Sequence, residues 1–148
     1  MTTASAGGRV PKRSSSGIQR VASAKGAAPP GGAYSHAVAA GGFVFVSGQG
    51  PKDPETGRCV SGGIEEQTRQ AIRNIKIILE GAGLGLTDVV KTTVYLRDIG
   101  DFKAFDRAYA EHFGRAPPAR TTVQAAPPSP ETMVEIEAVA KDRRSRSS

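Results

Sequence analysis

Two short segments near the end of the chain limit its fold more than any other feature. Pro118 to Gln124 reads Pro-Ala-Arg-Thr-Thr-Val-Gln, and Met133 to Ala140 reads Met-Val-Glu-Ile-Glu-Ala-Val-Ala. Each alternates β-branched or apolar residues with polar ones, and the Pro/Ser-rich stretch from Pro127 to Pro130 breaks the chain between them, so both are predicted strands. Side chains alternate across a strand, which puts Arg120, Thr122 and Gln124 on one face and Thr121, Val123 and Ala125 on the other. Glu135 and Glu137 also share a face, leaving Val134, Ile136 and Ala138 as the buried set. A simple hairpin would oppose Gln124 to Glu135 and Thr122 to Glu137, and other registers fit the alternation equally well. An arginine and carboxylates displayed from strands are most often a solvated ion pair. A structural tie between Arg120 and Glu135 or Glu137 is therefore the alternative to a binding site.

A chain of 148 residues is long enough for one domain with a buried core. It has no apolar run of membrane-spanning length and no hydrophobic signal core, so a cytoplasmic protein without membrane contact is expected. Its one cysteine, Cys59, excludes an internal disulfide and a zinc cluster. The net charge of +6 is unevenly placed: the excess lies in residues 1–30 and 141–148, and residues 31–140 carry −2. Basic tails on a mildly acidic domain argue against a broad nucleic-acid face and leave room only for weak tail contacts.

Residues 1–17 are rich in Ser, Gly and Ala and read as a disordered basic tail, with the Arg- and Ser-rich, acid-free flavour of an organellar transit peptide as a minor alternative. The domain is expected over 18–140, followed by a basic C-terminal tail over 141–148. Within it, Ile18 to Val21 reads as a first strand, and Tyr34 to Val38 with Phe43 to Ser47 as a hairpin whose apolar second member is covered on both faces. From Ile64 to Glu80 the apolar residues recur at three- and four-residue steps, an amphipathic helix with Gly81 as its cap. Val89 to Leu96 is a further strand. Asp101 is placed to cap a second helix that packs through Phe102, Phe105, Tyr109 and Phe113 and ends at Gly114. Three strands, helix, strand, helix and two strands make an α+β fold, a mixed six-stranded sheet with two helices on one face. The opposite face needs a partner, so an oligomer is expected.

The Pro118–Thr122 and Val134–Ala140 segments resemble the C-terminal signature of the Rid family, the reactive-intermediate deaminases also called YjgF-type proteins. Gly32–Val38, Phe45–Gln49 and Asp88–Leu96 agree with it in order and spacing, so the resemblance spans Ile18 to Ala140. It implies a chorismate-mutase-like fold and a homotrimer closed around a central barrel, with a pocket at each subunit boundary.

The resemblance also implies an activity, the hydrolysis of short 2-imino acids to 2-oxo acids and ammonia without metal or organic cofactor. Arg120 matches the family's carboxylate clamp, a role suited to a planar fork that can meet a carboxylate with two parallel hydrogen bonds. Glu135 matches the residue that polarises the attacking water. Tyr34 and Ser47 match pocket residues, and Thr122 stands where many members carry a cysteine whose backbone meets the substrate. His36, His112 and Cys59 are not expected to be catalytic. Three departures stand out: Ala33 replaces a proline, Asp106 replaces a frequent asparagine, and Pro127-Pro128-Ser129 replaces leucine-proline. The alternatives are a non-catalytic binder of small carboxylates, a scaffold trimer, or a protein acting on RNA.

Overall fold

The computed structural model describes residues 17–145, so the segment read as a basic or transit-like N-terminal tail lies almost wholly outside the described residues. The strands are β1 (Gln19–Val21), β2 (Ala37–Ala40), β3 (Phe43–Gln49), β4 (Val89–Leu96), β5 (Ala119–Gln124) and β6 (Val134–Lys141). The helices are α1 (Ile64–Gly81) and α2 (Phe102–Phe113). The strands form one mixed sheet in the order β1-β2-β3-β6-β4-β5. The element order is that read from the sequence.

β5 and β6 do not form a hairpin. β4 lies between them, antiparallel to β6 and parallel to β5, with Arg120 beside Thr92 and Glu135 beside Tyr95. The cause is the connection: α2 carries the chain from the end of β4 back to the start of β5, which makes those two strands parallel neighbours and leaves β6 to fill the gap between β3 and β4.

The core lies between the sheet and the helices. Ile72, Ile75, Ile78 and Leu79 of α1 are fully buried against Val44, Val94, Val134 and Ile136, each such burial contributing roughly 1.5–3 kcal/mol. The helix surfaces are tied by Arg69, which holds Glu111 of α2 at 2.9 Å and Glu66 of its own helix at 2.6 Å. The other face of the sheet is open in the single chain. Phe43 and Phe45 of β3 point there, Phe45 with 47% exposure, so within one chain β3 is central but covered on one face, and the expected second cover is not supplied by the chain's own helices.

Both helix ends differ from expectation in detail. Gly81 is the last residue of α1, and the left-handed residue that turns the chain is Gly83 at φ +74°. Asp101 makes no capping bond; Asp98 accepts from Gly100 N at 2.8 Å and starts a 3-10 turn that runs into α2. At the C-terminal end, β6 extends through Lys141 and Arg143 binds Asp88 at 2.7 Å, so ordered structure continues past the expected boundary at residue 140.

Candidate active site

Glu135 stands on β6 with its side chain against Gly48, where the pairing of β3 and β6 shifts register between Val46 and Gln49. The irregularity brings the β3 backbone so close that a Cβ at Gly48 would lie 3.0 Å from the Glu135 carboxyl carbon. Only glycine leaves the carboxylate where it is. Burial, then the neighbouring Glu137, pushes the Glu135 carboxyl above the ordinary carboxylate range. Glu137 is occupied differently: it accepts the Tyr95 hydroxyl at 2.6 Å.

Glu135 lines a cavity of about 230 Å³ with Tyr34, Gln49, Lys52, Pro128 and Thr132. Tyr34 is 48% exposed, with its hydroxyl oxygen accepting from Gly31 N at 3.0 Å, so it is a wall of this cavity and not a core aromatic. Ser47 lies beside the cavity, its hydroxyl donating to Ser35 O at 2.6 Å. His36 is buried at the same cavity, with Nδ1 accepting from Ala24 N at 2.8 Å and burial pulling its pKa down. His112 is held on α2 against Ala108 O. The Cys59 thiol sits near Glu131 O and the Gln67 amide, and burial pushes its pKa up, the reverse of what a nucleophile needs.

Arg120 is elsewhere. Thr92 and Tyr95 are three residues apart on β4 and so point to opposite faces; Arg120 shares the Thr92 face and Glu135 the Tyr95 face. Arg120 therefore lies under α2, with its guanidinium carbon 4.7 Å from the Tyr109 ring centre, 5.3 Å from Phe105 and 5.5 Å from Phe102. Tyr109 is itself fixed by a 2.7 Å hydrogen bond to Thr92. The guanidinium donates from Nη1 to Asp106 Oδ1 at 2.8 Å, so its ionic partner is neither Glu135 nor Glu137. Thr122, two residues along the same face, has a buried hydroxyl oxygen with no hydrogen-bond partner. No group of three or more His, Cys, Asp or Glu able to hold a metal occurs among the described residues, and none of their helices is long and apolar enough to cross a membrane.

A family model described as endoribonuclease L-PSP matches residues 25–142. A human 2-iminobutanoate/2-iminopropanoate deaminase is 44% identical over 126 residues, covering 85% of this chain and 92% of that one. The chain belongs to the Rid family. A RutC family protein of Pyrococcus horikoshii is 47% identical over 83% of this chain and 98% of its own. Among solved Rid structures, that of E. coli YjgF superposes with TM-score 0.77 at 35% identity, covering 84% of this chain and 99% of its own. E. coli TdcF with bound serine superposes with TM-score 0.77 at 32% identity, covering 83% and 98%.

Three residues that tie together the backbone around this cavity carry no signal in the sequence. Arg97, at the end of β4, donates to Thr132 O, Pro127 O and Ser129 O at 2.8–3.1 Å and so shapes the turn that walls the cavity. Asn74 of α1 donates to Gly50 O and Lys52 O, and Gln67 donates to Glu131 O while accepting from Met133 N. All three bond backbone far away in the chain, which no local pattern announces.

Proposed function

We propose that the chain hydrolyses short 2-imino acids to 2-oxo acids and ammonia, at sites assembled between subunits of a homotrimer. The observation that carries this reading is the Glu135 carboxyl, raised above its usual range by burial and facing a cavity walled by Tyr34. A carboxyl poised in this way can take a proton from water and return it to the departing nitrogen near neutral pH. Water adds to the imine carbon with its proton passing to Glu135; the tetrahedral carbon then expels ammonia as nitrogen is protonated and the C=O forms. The deaminase names of relatives at 42–44% identity support the same chemistry, and serine on TdcF is a ligand of comparable size.

The same geometry supports a site shared between copies, as the proposed trimer would supply. Arg120 and Glu135 occupy opposite faces of one sheet, with β4 between their strands, so they are separated by on the order of 10 Å and a sheet. A guest of a few heavy atoms cannot touch both in one chain. A second copy, bringing its Arg120 edge to the open face of the first, supplies both, and covers Phe43, Phe45 and Val123 at the same time. Arg120 then clamps the carboxylate through guanidinium edges not used by Asp106, while the backbone at Thr122 lines the pocket.

Purified protein is expected to accelerate ammonia release from 2-iminopropanoate generated in the assay. Glu135→Gln should lose at least about a hundredfold, the usual worth of a general base, and Arg120→Ala about ten- to a hundredfold, that of one charge-assisted contact. Arg120→Lys should fail nearly as badly if two parallel bonds are needed. Full activity in the Glu135 and Arg120 variants refutes these roles. The endoribonuclease wording of the family model makes RNA cleavage the control reaction: any RNA affinity should go with residues 1–17 and 141–148 while deamination stays.

A further inference from the structure

The clamp is not a bare cation. Asp106 Oδ1 accepts from Arg120 Nη1 at 2.8 Å, and the pair is open to a guest from one side: the Asp106 side chain is 50% exposed and that of Arg120 21%. Among the described residues the Arg120 side chain makes this one hydrogen bond, so its Nε and Nη2 donors stand beside an acceptor carboxylate. Both border an open cavity of about 400 Å³ with Tyr109, Phe113, Pro117 and Pro118. Phe102, Phe105 and Tyr109 lie 4.7–5.5 Å from the guanidinium carbon, contacts that favour keeping the cation beside Asp106.

A guest carrying only a carboxylate gains from Arg120 and is repelled by Asp106 next to it. A guest carrying a carboxylate with a cationic N–H on the adjacent carbon meets complementary charges on both sides. We propose that Asp106 is a specificity-determining residue of the clamp, accepting from the iminium N–H of a protonated 2-imino acid while Arg120 holds its carboxylate. The pair thereby favours the zwitterionic, electrophilic form of the substrate over the 2-oxo acid product, in which oxygen has replaced the N–H. This rests on the deaminase reading. It adds product discrimination and selection of the protonated imine to the same site.

The test uses the full chain, wild type and Asp106→Asn, with 2-aminobutanoate as a stable zwitterion and 2-oxobutanoate as the plain anion. Affinities are read by calorimetry, and KM for 2-iminobutanoate by ammonia release. Wild type is expected to bind the zwitterion about tenfold more tightly than the oxo acid, the worth of one partly exposed charge contact. In Asp106→Asn the two affinities should come within about twofold, mainly because the oxo acid binds more tightly, and product inhibition should rise to match. Asp106→Ala should behave like the asparagine variant, and thermal unfolding checks that both remain folded. An unchanged affinity ratio in either folded variant, with imine still hydrolysed, overturns the role of Asp106 and leaves the deaminase standing. A wild type that already prefers the oxo acid overturns it too. Absence of both binding and turnover in wild type brings down the deaminase and this assignment together.

Discussion

Glu135 joins a structural cost to a chemical use. Its pKa is raised by burial, so the folded chain binds that proton more tightly than the unfolded chain does. Where the unfolded carboxyl is ionised and the folded one is still partly protonated, stability falls as pH rises. The window opens near the ordinary value of 4.5 and closes above the raised folded pKa. Glu135→Gln should flatten this part of the stability curve, as read by denaturant unfolding at a series of pH values. The activity of the proposed deaminase should run the other way: kcat/KM rises with pH through an apparent pKa above 4.5 as the base ionises. An acid limb at or below that value would remove Glu135 from the role. Thr122 makes a separate prediction on the opposite face. Its buried hydroxyl has no partner, and an apolar group of the same shape removes that cost, so Thr122→Val should stabilise by about 1 kcal/mol. Since the proposed contact uses the backbone, activity should persist; a lower melting temperature would count against the orphaned hydroxyl.

The element that decides the candidate site is the irregular end of β3. The register shift between Val46 and Gln49 turns the backbone toward β6 and leaves Gly48 within van der Waals reach of the Glu135 side chain. Gly48→Ala puts a methyl 3.0–3.2 Å from Glu135 atoms, and the carboxylate, being the free end of a flexible chain, is the part that yields. The fold should survive while kcat/KM drops about ten- to a hundredfold, the penalty for misplacing a catalytic group by a fraction of an ångström to one ångström. A crystal structure of the variant with Glu135 unmoved and activity intact would contradict this. Arg97 acts on the facing wall, holding Pro127, Ser129 and Thr132 through three backbone carbonyls and so fixing the turn where the sequence departs from the family's leucine-proline.

At the scale of the whole molecule the open sheet face is the surface on which the proposed assembly depends. Phe43 and Phe45 are 37% and 47% exposed on β3, on the face opposite the helices, and neighbouring exposed aromatics of this kind on a small domain suit an interaction surface. Phe45→Asp should leave the helix-covered core intact, since Phe45 does not enter it, but should shift the proposed trimer to monomer in sedimentation velocity. Imine hydrolysis should fall to background in the same variant, because Arg120 and Glu135 of one chain cannot serve one guest. A monomer that keeps full activity would refute the shared site.

The alternation in the last two strands determined, without any structure, which residues are buried and which share a face: Val134, Ile136 and Ala138 are buried, and Arg120 and Thr122 lie together. The three- and four-residue spacing likewise determined α1, because both periodicities are local consequences of backbone geometry. Two things were decided only by the tertiary structure. The α2 crossover placed β4 between β5 and β6, sending Arg120 and Glu135 to opposite faces. The packing of α2 over β5 chose Asp106 as the partner of Arg120. Neither is legible in a strand pattern, because alternation states which side of its own strand a residue takes and is silent on which strand lies alongside or which helix covers it.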